Sequence, residues 1–201
     1  MLLSSFSKKK IEAGCDEAGR GCLAGPVVAA AVVFPSDYFN DELNDSKQLN
    51  EAARFRLRHI ILRDALHTAI SFVDEKKIDE INILNASILG MHQALEQLTI
   101  PLDFVIADGN KFKPFKQVPH ETIVKGDAKY LSIAAASILA KTARDIFMEK
   151  IHEEFPQYNW QQNKGYPTVA HREAIRQYGA CKYHRQSFQL LPLAAQGDLF
   201  A

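Results

Sequence analysis

The sequence predicts an α/β protein in which a mixed β-sheet is covered by helices. Three observations carry this: two apolar runs close together near the start, a compact apolar run that stops on an aspartate, and a long alanine-rich stretch beyond it. Ile11 to Cys15 reads as a short strand, and Val27 to Phe34, rich in Val and Ala and closed by Pro35, as a second. Between them, Asp16 to Pro26 holds three glycines and a proline and reads as a turn that continues neither strand. Asn50 is placed to cap a helix running to about Leu66. His67 to Val73 follows as a third strand, then a helix over about Asn85 to Leu98, closed by Pro101.

Phe104 to Ala107 predicts a buried strand that delivers Asp108 at its carboxyl end. Glu121 to Val124 supplies another short strand, leading to Lys125, Gly126 and Asp127. A long helix is expected from about Lys129 to Phe155. Its Ala134, Ala135, Ala136, Ile138, Leu139 and Ala140 should be buried, the alanines letting it lie close against the sheet. A short helix near Thr168 to Tyr178 completes the pattern.

The 201 residues suffice for one substantial core, so we expect one domain over residues 1–190 and a tail over 191–201. Basic and acidic residues balance at 24 each, so contact with nucleic acid must come from local clustering and not from a global positive field. Three cysteines, Cys15, Cys22 and Cys181, show no Cys-x-x-Cys spacing and fit a reducing cytoplasm. Lys8, Lys9 and Lys10 follow the first apolar residues, the reverse of a signal peptide. The run Val27 to Phe34 is too short to span a bilayer, so no membrane association is expected.

Asp16, Glu17, Asp108 and Asp127 fall at three separated places, each expected at a strand end or just after one. In open α/β sheets ligands gather beside the carboxyl ends of strands, so these acids can share one site. Crowded carboxylates repel each other unless a cation neutralises them, and all-oxygen ligands suit Mg²⁺ or Mn²⁺ better than zinc. Two such ions can activate water and stabilise a leaving oxygen in phosphodiester cleavage. An aspartate beside a glycine is also an ordinary turn former, and spacing alone does not separate the two readings.

Longer stretches decide more. Ala13 to Val28 (AGCDEAGRGCLAGPVV), Asn44 to Leu49 (NDSKQL), Ala107-Asp108-Gly109, Val124 to Asp127 (VKGD), Ala134 to Lys141 (AAASILAK) and Lys164-Gly165-Tyr166 closely resemble, in order, segments of the type 2 ribonucleases H of the bacterial ribonuclease HII type. The likeness spans about residues 11–190. It implies a ribonuclease H-like fold, with Asp16, Glu17, Asp108 and Asp127 as catalytic metal ligands for Mg²⁺ or Mn²⁺. It implies that Gly19, Arg20 and Gly21 hold the ribonucleotide's 2′-hydroxyl and adjoining phosphates, and that Tyr166 stacks on the sugar of the following deoxynucleotide. Lys47 resembles a family residue near the substrate phosphates, a solvated surface lysine being the alternative. His184 and Arg185 resemble another family segment, whether at the substrate or as packing beneath the site. The implied substrates are RNA-DNA hybrids and duplex DNA carrying ribonucleotides, cut on the 5′ side of the ribonucleotide to leave 3′-hydroxyl and 5′-phosphate ends; a monomer is expected, although the sequence leaves the oligomeric state open. A noncatalytic hybrid-binding protein and a metal-dependent phosphatase are the rival classes; four matching acids disfavour the first, and the Gly-Arg-Gly segment with Tyr166 the second.

The chain ends Gln196-Gly197-Asp198-Leu199-Phe200-Ala201, which looks like the short peptides by which bacterial replication and repair proteins bind the sliding clamp. Gln196, Leu199 and Phe200 are the expected contacts; a frayed end is the alternative.

Overall fold

The computed structural model describes residues 2–9, 11–43 and 49–192. Strands β1 (Glu12–Ala18), β2 (Val27–Val33), β3 (His67–Val73), β4 (Phe104–Asp108) and β5 (His120–Ile123) form one sheet in the order β3-β2-β1-β4-β5. The first three strands run antiparallel as a meander, while β4 and β5 join β1 in parallel. The sheet is therefore mixed, as expected.

Helix α1 (Glu51–Asp64) starts where Asn50 accepts from the Ala53 amide at 2.8 Å, so the expected cap is present. α2 (Glu75–Ile81) was not expected: seven mostly polar residues show no apolar period, and its start is set by Asp74 accepting from Lys77 N. α3 (Ile83–Gln97) and α4 (Leu131–Glu154) cover opposite faces of the sheet. Every residue of β2 is buried because it lies under both helices: Ala30 and Val32 pack toward α4, Ala29, Ala31 and Val33 toward α3. Ile133, Ile138 and Leu139 of α4 are fully buried, each contributing roughly 1.5–3 kcal/mol by leaving water. Gly14 is what permits this closeness. A Cβ there would sit 2.5 Å from the Ser132 carbonyl carbon and 2.6 Å from Ile133 N.

Beyond α4, the short α5 (Trp160–Asn163) and α6 (Val169–Tyr178) enclose a separate cluster of Leu23, Met148, Tyr158, Trp160 and Ile175. Among the described residues no helix is long and apolar enough to cross a membrane.

One expectation is corrected. Asp16 and Glu17 do not open the turn; they lie inside β1, which keeps pairing with β2 through Asp16–Ala30, Glu17–Ala29 and Ala18–Val28. The glycines at 19 and 21 bend the chain only after the strand has used its last ladder positions.

Candidate active site

The pairing register brings the acids together. β1 and β4 pair in parallel from Glu12–Phe104 to Cys15–Ala107, so Asp16 and Asp108 are the next residues on neighbouring strands where that ladder ends. Asp108 closes β4, and its Oδ1 accepts from Gly126 N at 2.6 Å. That bond draws in the short 3₁₀ turn Gly126–Ala128, which carries Asp127. Asp16, Glu17, Asp108 and Asp127 line one cavity of about 250 Å³ together with Gly19, Arg20, Gly21, Lys141 and Tyr166. A larger groove of about 360 Å³ lies elsewhere, lined by Ile81, Asn85, Ile88, Leu89, His92 and Lys113, and holds no carboxylate.

The electrostatics of the acid cavity are those of an under-neutralised cluster. Burial first, then the charges of Glu17 and Asp108, push the Asp16 carboxyl well above the ordinary carboxylate range, against the pull of a Ser137 hydrogen bond and the Lys141 ammonium. Burial likewise raises Glu17, although Arg20 Nη1 donates to its Oε1 at 3.2 Å. Among the described residues no three His, Cys, Asp or Glu side chains are already drawn into a common ligand set. The donor set nevertheless fits a hard divalent cation: carboxylate oxygens only, partly desolvated and mutually repelling, on a rigid strand pair and a tethered turn.

Of the residues singled out in the sequence, Gly19, Arg20, Gly21 and Tyr166 share the cavity with all four acids. Tyr166 is half exposed and also lines an adjoining cavity of about 290 Å³ with Arg54, Lys141, Asp145 and Lys164. Lys47, Gln196, Leu199 and Phe200 lie outside the described residues. His184 and Arg185 are fully buried beneath the glycine-rich turn and do not line the cavity. Sequence reasoning assigned no role to Ser137 and Lys141, although Ser137, Lys141 and Asp145 form a polar i, i+4, i+8 stripe that starts in the apolar, alanine-rich first half of α4. That stripe was the available signal.

The family model for ribonuclease HII matches residues 13–191. The chain belongs to the ribonuclease HII family. It is 61% identical over 191 residues to a ribonuclease HII of Christiangramia forsetii, covering 95% of this chain and 96% of that one. It is 59% identical over 191 residues to one of Phocaeicola vulgatus, covering 95% of each. Among solved structures, ribonuclease H2 of Pyrococcus horikoshii superimposes with a TM-score of 0.77 at 26% identity, over 90% of this chain and 94% of that one. Ribonuclease HII of Archaeoglobus fulgidus, solved in a complex with PCNA, gives 0.74 at 24%, over 92% and 98%. The ribonuclease H-like fold is thereby established, and with it ribonuclease H activity, the endonucleolytic hydrolysis of RNA paired to DNA.

Proposed function

We propose that this chain cuts on the 5′ side of a ribonucleotide, whether single in duplex DNA or within a hybrid, leaving 3′-hydroxyl and 5′-phosphate ends. The observation that carries the reading is the single cavity in which four acids meet the Gly19–Gly21 backbone and Tyr166.

Asp16, Glu17, Asp108 and Asp127 would hold two Mg²⁺ or Mn²⁺ ions. Bound there, the ions would supply a nucleophilic water at neutral pH and charge stabilisation for the leaving oxygen. Asp16 follows the last β1–β4 pair and feels the charges of both Glu17 and Asp108, which makes it the acid best placed to serve both ions. Glycines at 19 and 21 let main chain approach a ribose closely, and the 2′-hydroxyl, both donor and acceptor, distinguishes that sugar from deoxyribose. Tyr166 offers an exposed ring face to the next sugar. Arg20 and Lys141 supply the local positive charge that a neutral chain needs for phosphate contact.

Three labelled duplexes test this, carrying one ribonucleotide, a ribonucleotide run, or DNA alone, in Mg²⁺ and in Mn²⁺. Cutting 5′ to the single ribonucleotide, absent from DNA and from Asp16→Asn, is expected. Cutting confined to the run would refute single-ribonucleotide recognition.

We assign the tail at Gln196, Leu199 and Phe200 to sliding-clamp binding, which would raise the enzyme's local concentration on new DNA. The Archaeoglobus fulgidus relative, solved in its PCNA complex, supports a clamp partner. Removal of residues 196–201 should abolish clamp binding and leave hybrid cleavage intact; undiminished binding would end the proposal.

A further inference from the structure

Beneath the glycine-rich turn lies a polar framework, built on Arg144, His171 and Arg185, whose side chains do not line the acid cavity. Arg185 is fully buried, and its guanidinium donates from Nε and Nη2 to the Gly25 carbonyl at 3.0 and 2.8 Å and from Nη1 to the Arg20 carbonyl at 3.0 Å. Main chain closes the same seam: Arg185 N donates to Leu23 O, and Gly25 N to Tyr183 O. Arg144 of α4 reaches the other end of the turn, donating from Nη2 to Ala24 O and from Nε to Pro26 O, both at 3.0 Å. Its remaining nitrogen, Nη1, donates to Lys164 O at 2.8 Å, and Leu23 N donates to Gly165 O at 2.8 Å. Two planar, many-donor cations thus fasten the segment 20–26, Arg144 to the segment 164–166 and Arg185 to its own segment 183–185, which a single-point ammonium could not do.

Tyr166 is flanked at both ends. Its hydroxyl lies beside the buried Cys22 thiol, near enough for each group to shift the other's ionisation. Its carbonyl accepts from His171 Nδ1 at 2.9 Å. That proton position follows from the neighbours: Trp160 Nε1–H donates to His171 Nε2 at 3.0 Å, which makes Nε2 the acceptor. His184 Nε2 lies 3.2 Å from the same nitrogen and, because His184 Nδ1 accepts from Cys181 N at 3.0 Å, its N–H shares the single lone pair that Trp160 uses. Gly165 leaves no slack between the two segments: its φ is +81°, and a Cβ would lie 2.7 Å from Ala24 O.

The consequence at the cavity is directional. In a trans peptide the carbonyl and the following N–H point opposite ways. Arg185 pulls the Arg20 carbonyl inward, so the N–H of Gly21, a cavity-lining residue, is turned away from the core.

We infer that Arg185, Arg144, His171 and Cys22 are positioning residues that aim the Gly21 amide and the Tyr166 ring at the ribonucleotide, setting ribose recognition without touching the substrate. This rests on the proposed reading that Gly19–Gly21 and Tyr166 meet the ribonucleotide. In a ribonucleotide run a displaced turn finds 2′-hydroxyls on neighbouring sugars; at a single ribonucleotide it has one. Loosening the framework therefore weakens single-ribonucleotide cutting more than cutting of the run.

The test compares kcat/KM on the two duplexes for Arg185→Lys, Cys22→Ala and Cys22→Ser, each corrected for folded fraction. The single-to-run ratio should fall on the order of tenfold in Arg185→Lys and Cys22→Ala, mainly through kcat, and recover in Cys22→Ser, which keeps a polar side chain of similar size beside the Tyr166 hydroxyl. The two Cys22 variants carry the test if Arg185→Lys does not fold. Wild-type protein that cuts at the single ribonucleotide, with the ratio unchanged in every folded variant, would overturn the inference alone. Wild-type protein that does not cut there would overturn both the inference and the reading beneath it.

Discussion

Replacing Gly14 by alanine should damage stability and catalysis through one displacement. The added Cβ would lie 2.4 Å from Ser132 Oγ, 2.5 Å from Ser132 C and 2.6 Å from Ile133 N. Unstrained contacts between such atoms need roughly 3.5 Å. The serine hydroxyl can rotate away, but the other two atoms are backbone, so α4 must retreat from β1 by about 1 Å. Overpacking of a tight interface costs typically 1–3 kcal/mol, and the upper end is expected because α4 packs along a 24-residue length. The same shift separates β1, which carries Asp16 two residues on, from Ser137 and Lys141, which bear on that carboxyl from α4. Misplacement on this scale costs on the order of 10²-fold in rate. Urea unfolding would give the stability loss, and single-turnover cleavage of an RNA-DNA hybrid by the folded variant would give the rate. A variant within about 0.5 kcal/mol of the parent that cuts at the parental rate would refute the claim that β1 and α4 are in backbone contact at the site.

Two other outcomes follow from the site and its supports. Mn²⁺ at about 100 times its Kd should stabilise the protein by roughly 2.7 kcal/mol, seen as a raised Tm, and Asp16→Asn should remove most of that rise while raising the metal-free Tm by relieving like-charge repulsion; an equal rise in both proteins would take Asp16 out of the ligand set. Burial, then the neighbouring His171, pushes His184 down to about 4 from 6.5, so between those values the unfolded chain binds a proton that the folded chain refuses. The contribution is fully present above pH 6.5 and is lost as pH falls toward 4, at most about 3 kcal/mol in all; urea midpoints at pH 7.5, 6 and 5 should fall in step, and His184→Gln should flatten that slope.

Much of the site was legible because its signals are local. Phe104 to Ala107 has no polar residue and must pair on both sides, which puts Asp108 at a strand end. Asp16 was set one element too late because glycines at 19 and 21 dominated the reading of its segment, whereas strand ladders are decided by the partner: Ala30, Ala29 and Val28 were available to pair through Ala18. α2 escaped because a seven-residue helix begun by Asp74 has too few turns to show a period. Packing beneath the site was one of two readings of Arg185, but the hydrogen bonds of Arg144, Arg185 and His171 were not legible, for a different reason. Their partners are main-chain carbonyls, such as those of Pro26, Gly25 and Tyr166, and every residue type carries the same carbonyl.

The bond from Arg185 to the Arg20 carbonyl closes a span of 165 positions. During synthesis the strands and the 3₁₀ turn bearing the four acids leave the ribosome well before residue 185, at about 5–20 residues per second. A nascent chain thus carries its four acids for some seconds before Arg185 can fasten the glycine-rich turn, and on the proposed reading of that turn ribose discrimination would wait for the fastening. Sequence-distant fastening of this kind would delay selectivity until the fold is complete.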